Sequence, residues 1–259
     1  MKKIKLFIGF LALLTSFQLA FAEVLKVGAT PVPHAQILNF IVPMLKKEGV
    51  DLKIIQFTDY VTPNLALADK SIDADFMQHE PYLKKMNQDR GLNLVAIAKI
   101  HVEPLGLYSK KIKSIDELKN GANIAIPNDP SNGGRALILL HNHGIITLKD
   151  PNNLYATEFD IIKNPKKIKI RPLEAAMLAK SLNDVDAAVI NGNYALQANL
   201  KAKDAIFVEG AESPYANVLV VRKGDENRPS IVKLKEALQS QEVRKFILDT
   251  YQGEIVPAF

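Results

Sequence analysis

Short runs of apolar and β-branched residues alternate along the chain with stretches whose apolar positions recur every three to four residues. That alternation predicts α/β lobes with largely parallel sheets, and argues against an all-α or all-β fold. Val24 to Ala29 reads as a first strand. A helix is expected from His34 to Lys47, with Ile37, Phe40, Ile41, Met44 and Leu45 on one face and Pro43 as a point that kinks or shortens it. Strands are expected at Leu52 to Phe57, Ala74 to Met77 and Leu94 to Ile100, with helices at Pro63 to Lys70 and Pro81 to Gln88 between them.

At Glu103-Pro104 the pattern breaks, and Leu105 to Tyr108 resumes as a strand, which places a first crossing between lobes here. Ser114 followed three residues later by Glu117 resembles a capping box and predicts a helix to Lys119. Beyond it come a strand at Asn123 to Ile126, a helix from Gly134 to His143 stopped by Gly144, a helix from Glu174 to Leu182, a strand at Ala187 to Ile190 and a helix from Tyr194 to Leu200. After Ala205 to Val208, the strand Val218 to Val221 crosses back. Ser230 to Tyr251 then forms one or two amphipathic helices with Ile231, Leu234, Leu238, Val243, Phe246 and Ile247 facing inward. The expected organisation is a leader over 1–22, one lobe built from 23–103 and 218–259, and a second lobe from 104–217. Two connections between compact lobes make a hinge with a cleft, where ligands sit.

The leader changes the reading of the charge. Lys2, Lys3 and Lys5 precede an apolar run from Leu6 to Leu14, and Ala20-Phe21-Ala22 supplies a small-x-small cleavage site, so the mature chain is expected to begin at Glu23. The competing reading is an uncleaved N-terminal anchor, but the apolar run falls short of the roughly 20 residues that a spanning helix needs. Three of the 33 basic residues and none of the 28 acidic ones precede Glu23, so the formal charge falls from +5 to +2 on cleavage. A nearly neutral chain without an aromatic-interleaved basic patch excludes a nucleic-acid partner, and Lys110-Lys111 and the lysines from Lys163 to Lys169 read as solvated faces. With no cysteine in the chain, disulfides, thiolate metal sites, thiol nucleophiles and a lipid-modified N-terminal cysteine are all excluded. About 237 residues bury enough core to stand without staples in an oxidising compartment.

Three segments have a composition unlike plain core. In the first, Phe57 to Asn64 (FTDYVTPN), polar and aromatic groups follow a strand at the end where α/β sheets present ligand loops; Tyr60 is either a pocket wall or a packed surface tyrosine. In Asp75 to Leu83 (DFMQHEPYL) a strand runs into a helix whose first turn holds a proline, and His79 and Tyr82 lie three apart, on one helical face if the helix includes both. His79 is a ligand contact or a structural group at a helix end. In Asn128 to Arg135 (NDPSNGGR) a glycine-rich turn leads into a helix and aims backbone N–H groups at an anion. Arg135, expected in the first turn, stands against the helix-dipole preference, and it either clamps a ligand carboxylate or pairs with a nearby acid. The GK[ST] ending of a phosphate-binding loop is absent.

Together with Ala188 to Ala195 (AVINGNYA) and Ser213 to Asn217 (SPYAN), these segments, in this order and over essentially the whole mature chain, resemble the NlpA/MetQ family of methionine-binding transport proteins. The resemblance implies a type II periplasmic-binding-protein fold, two α/β lobes with methionine in the cleft between them and two hinge crossings. It implies that Arg135 holds the ligand carboxylate, that Asn191 and Asn217 supply amides to the carboxylate and ammonium, and that Tyr60, His79 and Tyr82 line the side-chain pocket. An aromatic wall suits a soft, apolar thioether. The implied partners are an ABC transporter permease and its ATPase, with no cofactor and a monomeric protein in the periplasm. Two departures stand out. Most of the family carry a lipidated cysteine, so this chain is expected to be soluble after signal cleavage. Where the family usually reads FQH, this chain has Met77-Gln78-His79, which makes Met77 a pocket residue that reshapes the contact with sulfur and leaves L-methionine, D-methionine, a Gly-Met-like dipeptide or another apolar amino acid as ligands.

Other classes fare worse. No GxSxG elbow and no HExxH pattern occurs, and amides with an arginine hold charge better than they move protons, so the chain is not expected to be an enzyme. A zinc-transport role is the stronger rival, since His34, His79, His101, His141 and His143 are available. However, His141 and His143, two apart, point to different sides of one helix.

Overall fold

The computed structural model describes residues 23–210 and 214–259. The expected leader, 1–22, and Ser213 of the SPYAN segment lie outside the described residues.

The first lobe begins with β1 (Glu23–Ala29), α1 (Gln36–Lys47), β2 (Val50–Gln56), α2 (Thr62–Ala68), β3 (Ala74–His79), α3 (Glu80–Arg90) and β4 (Leu94–Val102). In α1, Ile37, Leu38, Ile41 and Leu45 are buried, and Pro43 is accommodated without ending the helix. Both Pro43 and Asn39, whose carbonyl loses its intrahelical partner, are exposed, so that carbonyl faces water. A separate helical turn, Pro31–Ala35, precedes α1 and takes His34 out of the helix that the pattern assigned to it.

The chain crosses at 103–105 into the second lobe: β5 (Gly106–Tyr108), β6 (Asn123–Pro127), α4 (Pro130–Asn142), β7 (Thr147–Leu148), β8 (Ile161–Lys163), β9 (Lys169–Leu173), α5 (Leu178–Ser181), β10 (Ala187–Ile190), α6 (Gly192–Gln197) and β11 (Phe207–Val208). It returns through β12 (Ala216–Arg222) and ends with α7 (Pro229–Leu238), α8 (Gln241–Tyr251) and β13 (Val256–Pro257). The larger sheet has the order β13-β4-β12-β3-β1-β2 and the smaller β11-β5-β10-β6-β9. In the larger, β2, β1 and β3 are mutually parallel, and the returning β12 inserts antiparallel between β3 and β4. The register of β12 pairs Ala216 with Val102 and Asn217 with His101, so the returning strand starts two residues ahead of the boundary expected at 217/218. Each sheet has its own apolar core, one around Phe76, Ile100 and Leu219, the other around Leu107, Ile124 and Val189. This is the two-lobed α/β architecture the hydrophobic pattern predicted.

Local expectations were corrected in four places. Ser114 caps nothing: Ile115–Glu117 is a single turn, and the Glu117 carboxylate instead accepts from the Lys113 N–H at 3.2 Å. Helix α4 starts at Pro130, capped by Asp129 on the N–H of Asn132, so the glycines lie inside the helix and Arg135 sits in its second turn rather than its first. The expected helix at 174–182 is a short turn followed by the four-residue α5. Strand β9 was read only as a basic surface; it is an edge strand paired along β6, and its charges face solvent.

Candidate ligand-binding site

The carboxyl ends of β3 and β10, the start of β12 and the helices that follow β3 and β6 converge on a cavity of about 330 Å³ between the lobes, at the small end of ligand pockets. Tyr60, Met77, His79, Tyr82 and Asn217 line it from the first lobe, and Arg135 and Asn191 from the second, so all seven residues singled out in the sequence face one space. Gln78, Glu103, Asn132, Gly192 and Asn193 complete the lining.

The aromatic side is a packed wall. The Tyr60 ring lies 6.0 Å from Tyr82 and 5.1 Å from Tyr194. Its hydroxyl donates to Asn193 Oδ1 at 2.6 Å, and the Tyr82 hydroxyl donates to the Tyr60 carbonyl at 3.0 Å. Burial pushes both phenols up from their ordinary range, so they act as neutral donors. Met77, 3% exposed, packs with Tyr82 and Met86, so the wall it forms is thioether where its neighbours are aromatic.

His79 does not share a helical face with Tyr82. It ends β3 as the cap of α3, its Nδ1 accepting from the Tyr82 N–H at 3.2 Å while Nε2 donates to Asn132 Oδ1 at 3.0 Å. Burial, reinforced by the charge of Arg135, pushes its imidazole down to about 3, so the ring is neutral and bridges the lobes by hydrogen bonding. The same Asn132 Oδ1 accepts from Asn191 Nδ2 at 2.8 Å, and Asn132 Nδ2 donates to Asp129 at 3.0 and 3.1 Å. Below this chain, Gln78 is locked by Asn64 and Asp75; burial raises the Asp75 carboxyl to about 7 against the pull of Gln78.

Arg135 is 3% exposed. Its Nε donates to Glu209 Oε1 at 2.8 Å, and Nη2 donates to the other Glu209 oxygen and, at 2.8 Å, to the Glu103 carbonyl. Its guanidinium lies 4.4 Å from the centre of the Tyr215 ring, a cation–π arrangement. Both sequence alternatives for Arg135 therefore meet in one residue: it pairs with an acid and lines the cavity, with Nη1 as the edge of the fork left for a ligand. Two amide atoms of the second lobe, Asn191 Oδ1 and Asn193 Nδ2, are buried without a protein hydrogen-bond partner. Such atoms are costly unless something fills the cavity and pairs with them.

At the hinge, Glu103 Oε1 accepts from His101 Nε2 at 2.7 Å and lies 3.2 Å from His34 Nε2, while Oε2 accepts from the Asn193 N–H at 3.0 Å. His34 Nδ1 accepts from the Thr30 hydroxyl at 2.7 Å, and its Nε2 donates to Asn217 Oδ1 at 3.2 Å. Burial pushes His34 down to about 4. Burial opposes ionisation of Glu103, but the two imidazoles outweigh it and hold the carboxyl below its usual range. Among the described residues, this trio is where histidines gather with an acid; His141 instead accepts from the Leu148 N–H, and His143 stacks on Phe207.

Sequence reasoning passed over Asn132, Asn193 and Glu103 as site residues. The signal for Glu103 was available, a lone acid between two apolar strands at a lobe crossing. Asn132 and Asn193 lay inside the quoted segments, but spacing does not say which of several amides turns inward.

The NlpA lipoprotein family profile matches residues 25–259. The chain is 46% identical over 233 residues to a probable D-methionine-binding lipoprotein MetQ of Vibrio cholerae, spanning 89% of this chain and 87% of that one. It is 44% identical over 236 residues to the D-methionine-binding lipoprotein MetQ of Escherichia coli, spanning 90% and 87%. A nutrient binding protein from Burkholderia cenocepacia, solved bound to methionine, superposes with a TM-score of 0.88 at 46% identity, covering 91% of this chain and all of that one.

Proposed function

The chain belongs to the NlpA lipoprotein family, and from that premise we propose that it is an extracytoplasmic solute-binding protein of an ABC importer, holding methionine or a close relative between its lobes. The observation that carries the ligand class is the cavity itself: a guanidinium edge and two unpartnered buried amide atoms at one side, and a wall of tyrosine rings and a thioether at the other. The polar side suits the charged backbone of an amino acid and the wall a thioether side chain. Arg135 takes the α-carboxylate, Asn191 and Asn217 present amides to the carboxylate and ammonium, and Tyr60, Met77, His79 and Tyr82 enclose the side chain. The relatives named for D-methionine and the neighbour bound to methionine support the same class.

The lobes are 23–103 with 218–259, and 104–217, and they close about the crossings at 103–105 and 209–215. Ligand bridges both lobes and shifts the open–closed equilibrium, and the closed form is what the permease and its ATPase engage. The protein acts as a monomeric binder without catalysis. Among the described residues no helix is long and apolar enough to cross a membrane. Cleavage before Glu23 and a soluble periplasmic existence belong to the same proposal, and the intact mass of the exported protein tests them.

The direct test is calorimetry of protein stripped of ligand by unfolding and refolded, titrated with L-methionine, D-methionine, Gly-Met and other amino acids. Submicromolar binding of a methionine form is expected. No binding of any methionine form, with binding of another amino acid, would reassign the substrate.

One cluster favours a second reading, divalent-cation transport: His34, His101 and Glu103 place ligand atoms within 4.8 Å of one another. Their separations of 2.7 and 3.2 Å about one shared oxygen are those of N–H···O bonds, which favours a hydrogen-bonded network over a metal site. Metal analysis of the purified protein separates the two.

A further inference from the structure

We propose that Glu103 is the counter-charge for the ligand's α-ammonium group, so that the site selects amino acids with a free ammonium and rejects their hydroxy-acid and N-acyl analogues. The inference rests on the reading that the cavity holds an amino acid, and adds the group that would recognise its positive end.

The argument begins with charge. Arg135 is the buried cation lining the cavity, and its Nε and Nη2 are bound by the Glu209 carboxylate. Glu103 is the carboxylate lining the same cavity, 5% exposed, and each donor on it is a neutral group: the imidazole N–H of His101, that of His34, and the backbone N–H of Asn193. The histidine nearest the ligand wall, His34, is kept neutral by burial. Arg135 and Glu209 thus cancel, and Glu103 is left as an excess buried negative charge. A charge in that position is expensive to keep out of water, and dipoles offset only part of the cost. A cation entering the cavity converts it into a pair.

Geometry then decides which cation. Gly192, between Asn191 and Asn193, approaches the hinge so closely that a Cβ there would stand 2.9 Å from the Glu103 Cβ and 3.1 Å from the Pro104 carbonyl. That approach sets Asn191 Oδ1, a buried acceptor without a protein partner, beside the Glu103 carboxylate. Two acceptors so grouped suit an ammonium, which carries three donors and no acceptor. Donors are grouped nearby in turn: Arg135 reaches the Glu103 carbonyl at 2.8 Å, and the unpartnered Asn193 Nδ2 lies in the same wall. A carboxylate and an ammonium one carbon apart satisfy both groups at once. A dipeptide, whose ammonium is further from its carboxylate, cannot.

The test is calorimetry of the refolded, ligand-free chain with L-methionine, its 2-hydroxy analogue and N-acetylmethionine, repeated with leucine and its 2-hydroxy analogue, on wild type and Glu103→Gln. Wild type is expected to prefer the free amino acid over its hydroxy analogue by at least about 100-fold. In Glu103→Gln that preference is expected to shrink to about tenfold or less, mainly through loss of amino-acid affinity. Comparable wild-type affinity for an amino acid and its hydroxy or N-acetyl analogue overturns the inference, and so does an equal loss for both ligands in the variant. Should Glu103→Gln fail to fold, the wild-type ratio alone decides. Ammonium dependence with leucine but not methionine would sink the methionine reading and leave the Glu103 assignment standing. A wild type that binds no amino acid overturns both.

Discussion

Tyr60 and Asn193, 133 positions apart in the chain, are joined across the cleft by a 2.6 Å hydrogen bond from the tyrosine hydroxyl to Asn193 Oδ1. Asn193 also gives its backbone N–H to Glu103 at the hinge, so a single residue of the second lobe ties the closing wall to the crossing about which the lobes move. Further bonds span the same cleft, from the Tyr194 hydroxyl to the Thr58 carbonyl at 2.9 Å and from the Tyr155 hydroxyl to the Pro81 carbonyl at 3.1 Å. The structure is therefore that of the closed form, held by tyrosine hydroxyls at the rim.

Replacing Tyr60 by Phe keeps the ring against Tyr82 and Tyr194 and removes only the bond to Asn193. A neutral hydrogen bond contributes about 1 kcal/mol, so methionine affinity is expected to fall roughly fivefold. Because the bond forms on closure, the loss should appear as faster release with little change in association. Exchange of radiolabelled methionine measures it; an unchanged release rate would show that this bond does not hold the lobes shut.

Arg135→Ala is expected to weaken methionine binding by at least about tenfold, which corresponds to roughly 1.4 kcal/mol. The variant also strands Glu209 and the Glu103 carbonyl, both of which now receive the guanidinium, so its melting temperature should fall as well. Calorimetry and thermal denaturation on one sample read the two effects, and undiminished affinity would remove Arg135 from the ligand site.

The fold was legible in the sequence because each lobe is built from regular alternation, in which apolar runs such as Leu94 to Ile100 reveal buried strands directly. The places where it was not legible share a cause: tertiary contacts override the local signal. Ser114 has a capping-box spacing but only one helical turn to cap, and Pro130 begins α4 four residues before the glycines suggest because Asp129 supplies the cap from outside. In the site, Tyr60, Met77, His79, Tyr82, Arg135, Asn191 and Asn217 were found because the segments carrying them are unusual for core. Asn132 and Asn193 were passed over because their roles depend on partners 53 and 133 residues away, His79 and Tyr60, which no local pattern encodes.

Met77 contacts Tyr82 and Met86 at 3% exposure, so Met77→Ala opens space in both core and cavity. A loss of about 2 to 5 kcal/mol of stability is expected. Methionine should bind more weakly, and bulkier apolar amino acids should gain relative to it. Denaturant unfolding and the calorimetric panel check the two parts, and an unaltered ligand ranking would mean that Met77 packs the core without touching the ligand.

The pH dependence of stability separates the buried titrating groups by sign. His34 and His79 are held down to about 4 and about 3 in the folded protein, below the ordinary value of 6.5, so between 6.5 and 4 the unfolded chain takes up protons that the folded one refuses. Stability contributed by these neutral rings is present above 6.5 and is lost as the pH falls. Asp75 works the other way: its carboxyl is raised from 3.8 to about 7, so in that window the folded protein holds a proton that the unfolded chain has released, and stability is gained as the pH falls. Each proton of difference changes stability by about 1.4 kcal/mol per pH unit, and two histidines outweigh one aspartate, so the wild type should lose stability from pH 6.5 to 4. Asp75→Asn removes the opposing contribution. Its decline over the same interval should be steeper than that of the wild type, as read from denaturant midpoints at half-unit pH steps. Parallel curves would show that Asp75 is already ionised when folded, with Gln78 and Asn64 compensating its burial.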